Sequence, residues 1–229
     1  MANTVRYRRG ARNPNSVKHS TEYAGLKTLT RLSLLGMPHP RRLDQAAIID
    51  TARAMLEESG PDALSMRSLA RELGVRAPSL YAYVESRDDL FLQLMIAGLH
   101  DLRARLDAAE ADGDDHPTAR LERLATAYII FAETNPRLFN LVFSARTPAR
   151  QPPPTVERET SRPVVQAAID LAGERQGPII AQSIWSLVHG YTTLHLAGLF
   201  SLNEDPRAAF REGLDTLLTG AVAGHRPGA

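Results

Sequence analysis

Apolar residues recur at three- and four-residue spacing along most of this chain, and they form no convincing alternating run. Ile48, Ile49, Ala52, Met55 and Leu56 share one side of a helix that Asp44 caps and Ser59-Gly60-Pro61 ends. A shorter helix follows from Met66, with Ser65 as its N-cap and Leu69 and Leu73 facing one core. Gly74 falls just past that helix end, where a left-handed backbone suits glycine, and Val75 plugs the corner. Pro78 sits in the first turn of the next helix, where its missing N–H is harmless. Leu80 and Val84 turn that helix back to the core, and Ala70 is small where the two helices cross. Ser79, Tyr81 and Tyr83 are left to point elsewhere.

The pattern continues as helices to the C-terminus. Ser86-Arg87-Asp88-Asp89 predicts a capping box ahead of a long apolar helix over Leu90–Leu106. Further helices are expected over Thr118–Thr134, Pro136–Phe143, Val156–Arg175, Ile179–Phe200 and Pro206–Val222. Asn135-Pro136, the proline-rich stretch 147–154 and Gly177-Pro178 supply the breaks. The fold class is therefore all-α.

Two short helices around a glycine turn suit a helix-turn-helix, which lays its second helix in the DNA major groove. They also suit an ordinary buried hairpin. The run Leu64-Ser65-Met66-Arg67-Ser68-Leu69-Ala70, then Leu73-Gly74-Val75, Pro78-Ser79-Leu80-Tyr81 and the Tyr83-Val84 exit carries more. With these residues, 41–90 resembles the N-terminal DNA-binding domain of the TetR family of bacterial transcriptional regulators. Trp185-Ser186-Leu187-Val188-His189-Gly190 resembles the Trp-His-Gly signature of one class of C-terminal domains in that family, and the likeness extends over about 117–223.

The resemblance implies a helix-turn-helix three-helix domain joined to a larger helical ligand-binding and dimerisation domain. The expected divisions are a basic leader at 1–40, the DNA-binding domain at 41–89 and the effector and dimer domain at 90–225. It implies a ligand-responsive repressor that binds a palindromic operator as a homodimer. Arg67, Ala77, Pro78, Ser79, Tyr81 and Tyr83 match positions that face double-stranded DNA, with Arg87 near phosphate; Ser65 and Arg76 complete the candidate set. Ala77 stands where a polar residue is common, so it offers apolar contact only. Arg67 is the candidate to fork onto a guanine.

Composition narrows the alternatives. The chain has 229 residues, 43% of them apolar, enough for a small domain and a larger one. It has no cysteine, which excludes disulfides, zinc–thiolate sites and thiol catalysis. No apolar run has the length of a membrane span, and the reading is cytoplasmic. Net charge is only +1, so DNA affinity rests on where the charges sit. The first 42 residues hold nine Lys/Arg against Glu22, and Lys18 and Lys27 are the only lysines of the chain. That leader reads as a disordered basic arm, an accessory helix, or sequence upstream of a functional start at Met37; the first and last are favoured.

Chemistry beyond DNA binding is sparse. No nucleophile–base pair and no glycine-rich phosphate loop stand out, so no enzyme, metal or cofactor is expected. His189 and His195 are six apart and lie on different helix faces. The Asp112–His116 loop reads as solvated acid, not a cation site. Tyr128, Phe131, Phe139, Phe143 and Trp185, with His189 as a polar handle, are the candidate lining for a small hydrophobic or amphipathic effector. Ile180, Ile184, Leu187, Val188, Tyr191 and Leu194 predict one wide apolar face, and Gly190, Gly198, Gly213 and Gly220 predict close helix approach in a four-helix dimer interface. The alternatives are an effector-free DNA-binding or architectural protein, and a helical enzyme.

Overall fold

The computed structural model of the protein describes residues 43–111, 113, 116–144, 146–200 and 205–224. The leader 1–40 and the carboxylates of Asp112, Asp114 and Asp115 lie outside the described residues, and so do the readings made for them. Among the described residues there are eight helices and no strand: α1 (Gln45–Ser59), α2 (Met66–Glu72), α3 (Ala77–Leu80), α4 (Arg87–Ala111), α5 (Pro117–Thr134), α6 (Pro136–Phe143), α7 (Pro154–Leu196) and α8 (Pro206–Gly224).

The helix ends follow from local chemistry. The Asp44 carboxylate accepts from the Ala47 N–H at 2.8 Å, and Gly60 ends α1 at φ 82°. Ser65 and Ser68 satisfy each other's backbone N–H at the start of α2. At α4 the Ser86 hydroxyl accepts from the Asp89 N–H, but the Asp89 carboxylate returns to the N–H of Glu85, one residue before the position a capping box requires. The helix itself begins at Arg87 and runs past Leu106 to Ala111.

α6 has an unusual start. Pro136 opens it, and Asn135 makes no side-chain cap. The cap comes instead from α1: the Glu57 carboxylate accepts from the N–H of Leu138 at 2.7 Å and of Arg137 at 3.3 Å. A carboxylate at a helix N-terminus also opposes the positive end of the helix dipole.

α7 departs from the expected pattern. Its break is at Gly173, with φ 76° and ψ 170°, not at Gly177-Pro178. The bend gives two arms, 154–172 and 174–196, and folds Gly177 against Ile169. A Cβ on Gly177 would lie 2.5 Å from the Ile169 Cα, so only glycine fits there. Pro163, inside the first arm, has no N–H for the carbonyl of Glu159. The Arg103 guanidinium of α4 donates to that carbonyl instead.

α5 packs between α4 and α7, α8 lies on the second arm of α7, and α6 rests on α4, α1 and α5. Gly98 marks the α4–α6 crossing, where an added Cβ would meet a Val142 methyl at 3.0 Å. One continuous core runs from Ile48 to Leu218, with Phe91, Leu94, Met95, Leu102, Leu106 and Phe131 fully buried along its middle. Each such side chain contributes about 1.5–3 kcal/mol by leaving water. Leu43–Ala229 is accordingly one compact unit, with α4 threading from the small helices into the larger bundle.

Candidate DNA-reading face and effector cavity

The hairpin of α2 and α3 is built from its turn outward. Gly74 adopts φ 69°, and the N–H groups of Gly74 and Val75 reach back to the carbonyls of Arg71 (3.2 Å) and Ala70 (2.9 Å). This paired closure satisfies two carbonyls that the end of α2 would leave open. Behind the hairpin, Leu69, Leu80 and Val84 are buried and hold both helices to the core.

The other side faces solvent. Arg67, Arg76, Pro78, Ser79 and Tyr81 are exposed, Tyr81 at 53%. Among the described residues, the guanidinium groups of Arg67 and Arg76 and the hydroxyls of Ser79 and Tyr81 have no partner. Ala77 is half-buried, with its methyl against the core.

Three other candidates are engaged within the protein. The Ser65 hydroxyl is held by Ser68. The exposed Tyr83 donates its hydroxyl to the Leu43 carbonyl at 2.9 Å, tying the hairpin exit to the start of α1. Arg87, expected near phosphate, is exposed but has its guanidinium engaged within the chain. Its guanidinium donates to the carbonyls of Leu64 (2.9 Å) and Pro61 (2.7 Å) and lies over the Phe91 ring at 4.8 Å. It is a tie between α4 and the loop before α2.

In the larger bundle a cavity of about 570 Å³ opens between α4, the end of α6 and the two arms of α7. That size suits a small organic ligand. Phe143, Trp185 and His189 of the six candidate lining residues form part of its wall. Tyr128 and Phe139 stand behind them, their ring centroids 5.1 Å from Trp185 and 5.6 Å from His189 respectively. The space beside Tyr128 and behind Trp185 measures only about 10 Å³, so that interior is closed. Phe131 is fully buried in the core and forms no part of the cavity wall.

Burial shapes the two polar rings. It pushes the Tyr128 phenol far above its ordinary value and holds the His189 imidazole below the usual histidine range. The Tyr128 hydroxyl lies 2.8 Å from His189 Nδ1 and has no other acceptor among the described residues. A buried O–H without an acceptor costs more than an idle lone pair, so the phenol donates to Nδ1 and Nε2 carries the imidazole proton.

Sequence reasoning missed the polar half of the wall, where Arg146, Glu157, Arg158, Ser161 and Gln182 stand. Arg146 and Arg158 flank the proline-rich stretch 147–154, whose path follows no helical period. Arg146 pairs with Glu157 and donates from Nε to the Val142 carbonyl at 2.9 Å.

Of the four glycines expected at close helix approaches, Gly213 alone has a neighbour among the described residues: a Cβ there would lie 3.8 Å from Leu187. Among those residues no atom comes within 4 Å of a Cβ placed on Gly190, Gly198 or Gly220. The expected apolar face also divides. Ile184, Val188 and Tyr191 are buried within the chain, Ile180 and Leu187 are half-buried against the core, and Leu194 is exposed; Ile179 and Leu199, outside that set, are exposed as well.

A solvent-facing helix-turn-helix on a helical bundle with its own cavity defines a DNA-binding regulator class. Residues 48–94 match the family described as bacterial regulatory proteins, tetR family, and residues 121–217 match the tetracyclin repressor-like C-terminal domain. The chain belongs to the TetR family of bacterial transcriptional regulators. It is 28% identical over 200 residues to the uncharacterized HTH-type transcriptional regulator Rv0681 of Mycobacterium tuberculosis, covering 86% of this chain and 90% of that one. A crystal structure of the putative regulatory protein SCO4313 superposes with a TM-score of 0.63 at 29% identity, covering 76% of this chain and 95% of that one. A protein of unknown function from Rhodococcus sp. RHA1 shares the fold with a TM-score of 0.71 at 24% identity, over 81% of this chain and all of that one.

Proposed function

We propose that this regulator is a dimeric repressor whose grip on a palindromic operator is released by a small molecule in the α4–α7 cavity. Residues 41–89 serve as the DNA-reading part and 90–225 as the effector and dimer part, and the protein acts in the cytoplasm. The observation that carries the reading is the outward face of α2 and α3. Arg67, Arg76, Ser79 and Tyr81 are exposed there with no partner among the described residues, while Leu69, Leu80 and Val84 on the inward face are buried. Cations free of internal carboxylates are available to phosphates and guanine edges.

Dimerisation follows from the exposed strip of Ile179, Leu194 and Leu199 on the second arm of α7 and just beyond it, with Val222 on α8. The open space at Gly190 and Gly220 lets a second copy approach. Two copies present two hairpins, as a palindrome with half-sites about one helical turn apart requires.

Communication runs through α6. Its last residue, Phe143, lines the cavity, and its first turn is capped by Glu57 of α1. Arg53 of α1 adds an ion pair to Asp101 on α4 and a 2.9 Å hydrogen bond to Asn135. A ligand that displaces Phe143 therefore pushes on the helices that carry the hairpin. A coupling of about 1–3 kcal/mol changes DNA affinity roughly 5–150-fold.

Selection of bound DNA from a random pool tests this. The expected result is one enriched inverted repeat, bound by two copies of the chain. Enrichment of no sequence, or of an asymmetric site bound by one copy, overturns it.

A further inference from the structure

The cavity wall carries two chemically different sets of side chains. One is Phe143, Trp185 and His189; the Trp185 and His189 rings are parallel within 2°, with centroids 6.5 Å apart. Leu99 and Val164 add to that apolar set. The other is Arg146, Glu157 and Arg158, with two positive charges and one negative. Arg146 is neutralised by Glu157. Arg158 is exposed and has no acceptor among the described residues.

We propose that the ligand of this cavity is a flat apolar molecule bearing a single carboxylate, its ring against Trp185 and His189 and its acid group on Arg158. This names the ligand class of the site described above and rests on that reading. Charge decides the head group. A cation faces Arg158 with Glu157 already taken by Arg146, and an uncharged head leaves the guanidinium in water with nothing gained. A carboxylate accepts a charge-assisted pair of hydrogen bonds from it, the strongest polar contact open to this wall. The apolar body leaves water against the rings of Trp185 and His189. His189 does not oppose the acid: its Nδ1 is taken by Tyr128, and the neutral ring forms part of the cavity wall.

The test compares three probes of one shape and different charge on the full-length protein, without DNA. Naphthylacetate, naphthylacetamide and naphthylethylamine are titrated by calorimetry, with Trp185 fluorescence as a second readout. Trp185 is the chain's one tryptophan, so its emission, once that of the naphthyl probe is subtracted, reports this wall. The acid is expected to bind about tenfold more tightly than the amide, with the amine weakest. Raising salt weakens the acid and leaves the amide unchanged. Arg158→Gln, an exposed change that spares the core, brings the acid down to the amide and does not alter the amide.

Equal binding of acid and amide, tighter binding of the amine, or binding of none of the three overturns the proposal. A DNA-release assay separates this outcome from the effector reading. If the amide binds equally and releases DNA, the acid preference fails and the effector reading stands. If the acid binds as expected and DNA stays bound, the ligand class stands and the effector reading fails.

Discussion

The Glu57 carboxylate on α1 caps the N–H of Leu138 on α6 at 2.7 Å, across 81 positions of sequence. It does the work that Asn135, the local N-cap residue, leaves undone, and it joins the helix behind the DNA-reading hairpin to the helix that ends at the cavity. Removing the carboxylate with Glu57→Ala should lower stability by about 0.5–2 kcal/mol, the usual worth of a lost cap. Chemical denaturation measures that loss. The same variant should bind operator with a weaker response to ligand, read as a smaller ratio of affinities with and without it.

Arg67 and Arg87 should separate cleanly. Arg67→Ala is expected to cost about 1–3 kcal/mol on the specific site and to relax one base position, with the melting temperature unchanged. Arg87→Ala releases the carbonyls of Pro61 and Leu64 and the contact with Phe91, so its first effect should be on stability. An equal loss on operator and random DNA for Arg67→Ala would make that residue a phosphate contact.

Dimer formation is best probed at Leu194, which is 44% exposed in the protomer. Leu194→Arg should leave the protomer folded, as read by circular dichroism, while shifting light scattering toward monomer and weakening operator binding. Leu217→Arg is less clean, because Leu217 packs partly against the chain's own core.

Gly177→Ala should destabilise the protein by about 1–3 kcal/mol, the range for overpacking, because the new methyl meets the backbone of Ile169 rather than a side chain that can turn away. Gly190→Ala meets nothing among the described residues, so a weaker dimer with an unchanged protomer fold would place Gly190 in the interface.

His189 gives a pH dependence. Its pKa is depressed in the folded protein by burial, so below the unfolded value of about 6.5 the unfolded chain takes up the proton first. Stability is therefore full above that value and falls as pH drops through the folded one. His189→Asn, whose amide oxygen can accept from Tyr128, should flatten the change in melting temperature between neutral pH and about pH 5. Asp170 is also depressed, by hydrogen bonds from Gln166 and Arg120, but its loss comes at more acid pH, below the carboxylate range.

The sequence by itself determined the order and type of the helices, the Gly74 turn, the proline starts of α5 and α6, and the family. These are local matters. A cap, a left-handed glycine and a helical apolar stripe each depend on residues within a few positions, so spacing alone reports them. Tertiary structure decided where side chains go once helices meet. Gly173, not Gly177-Pro178, bends α7, because both a break and a close contact call for glycine and only packing against Ile169 tells them apart. Phe131 and Phe143 carry the same side chain, yet one lies in the core and the other on the cavity wall. Arg87 is tied down and Arg158 is not, because carbonyls from a distant loop reach the first and, among the described residues, no acceptor reaches the second. Such partners lie tens of residues away in the chain, and the energy that selects among them exists only after the helices have packed.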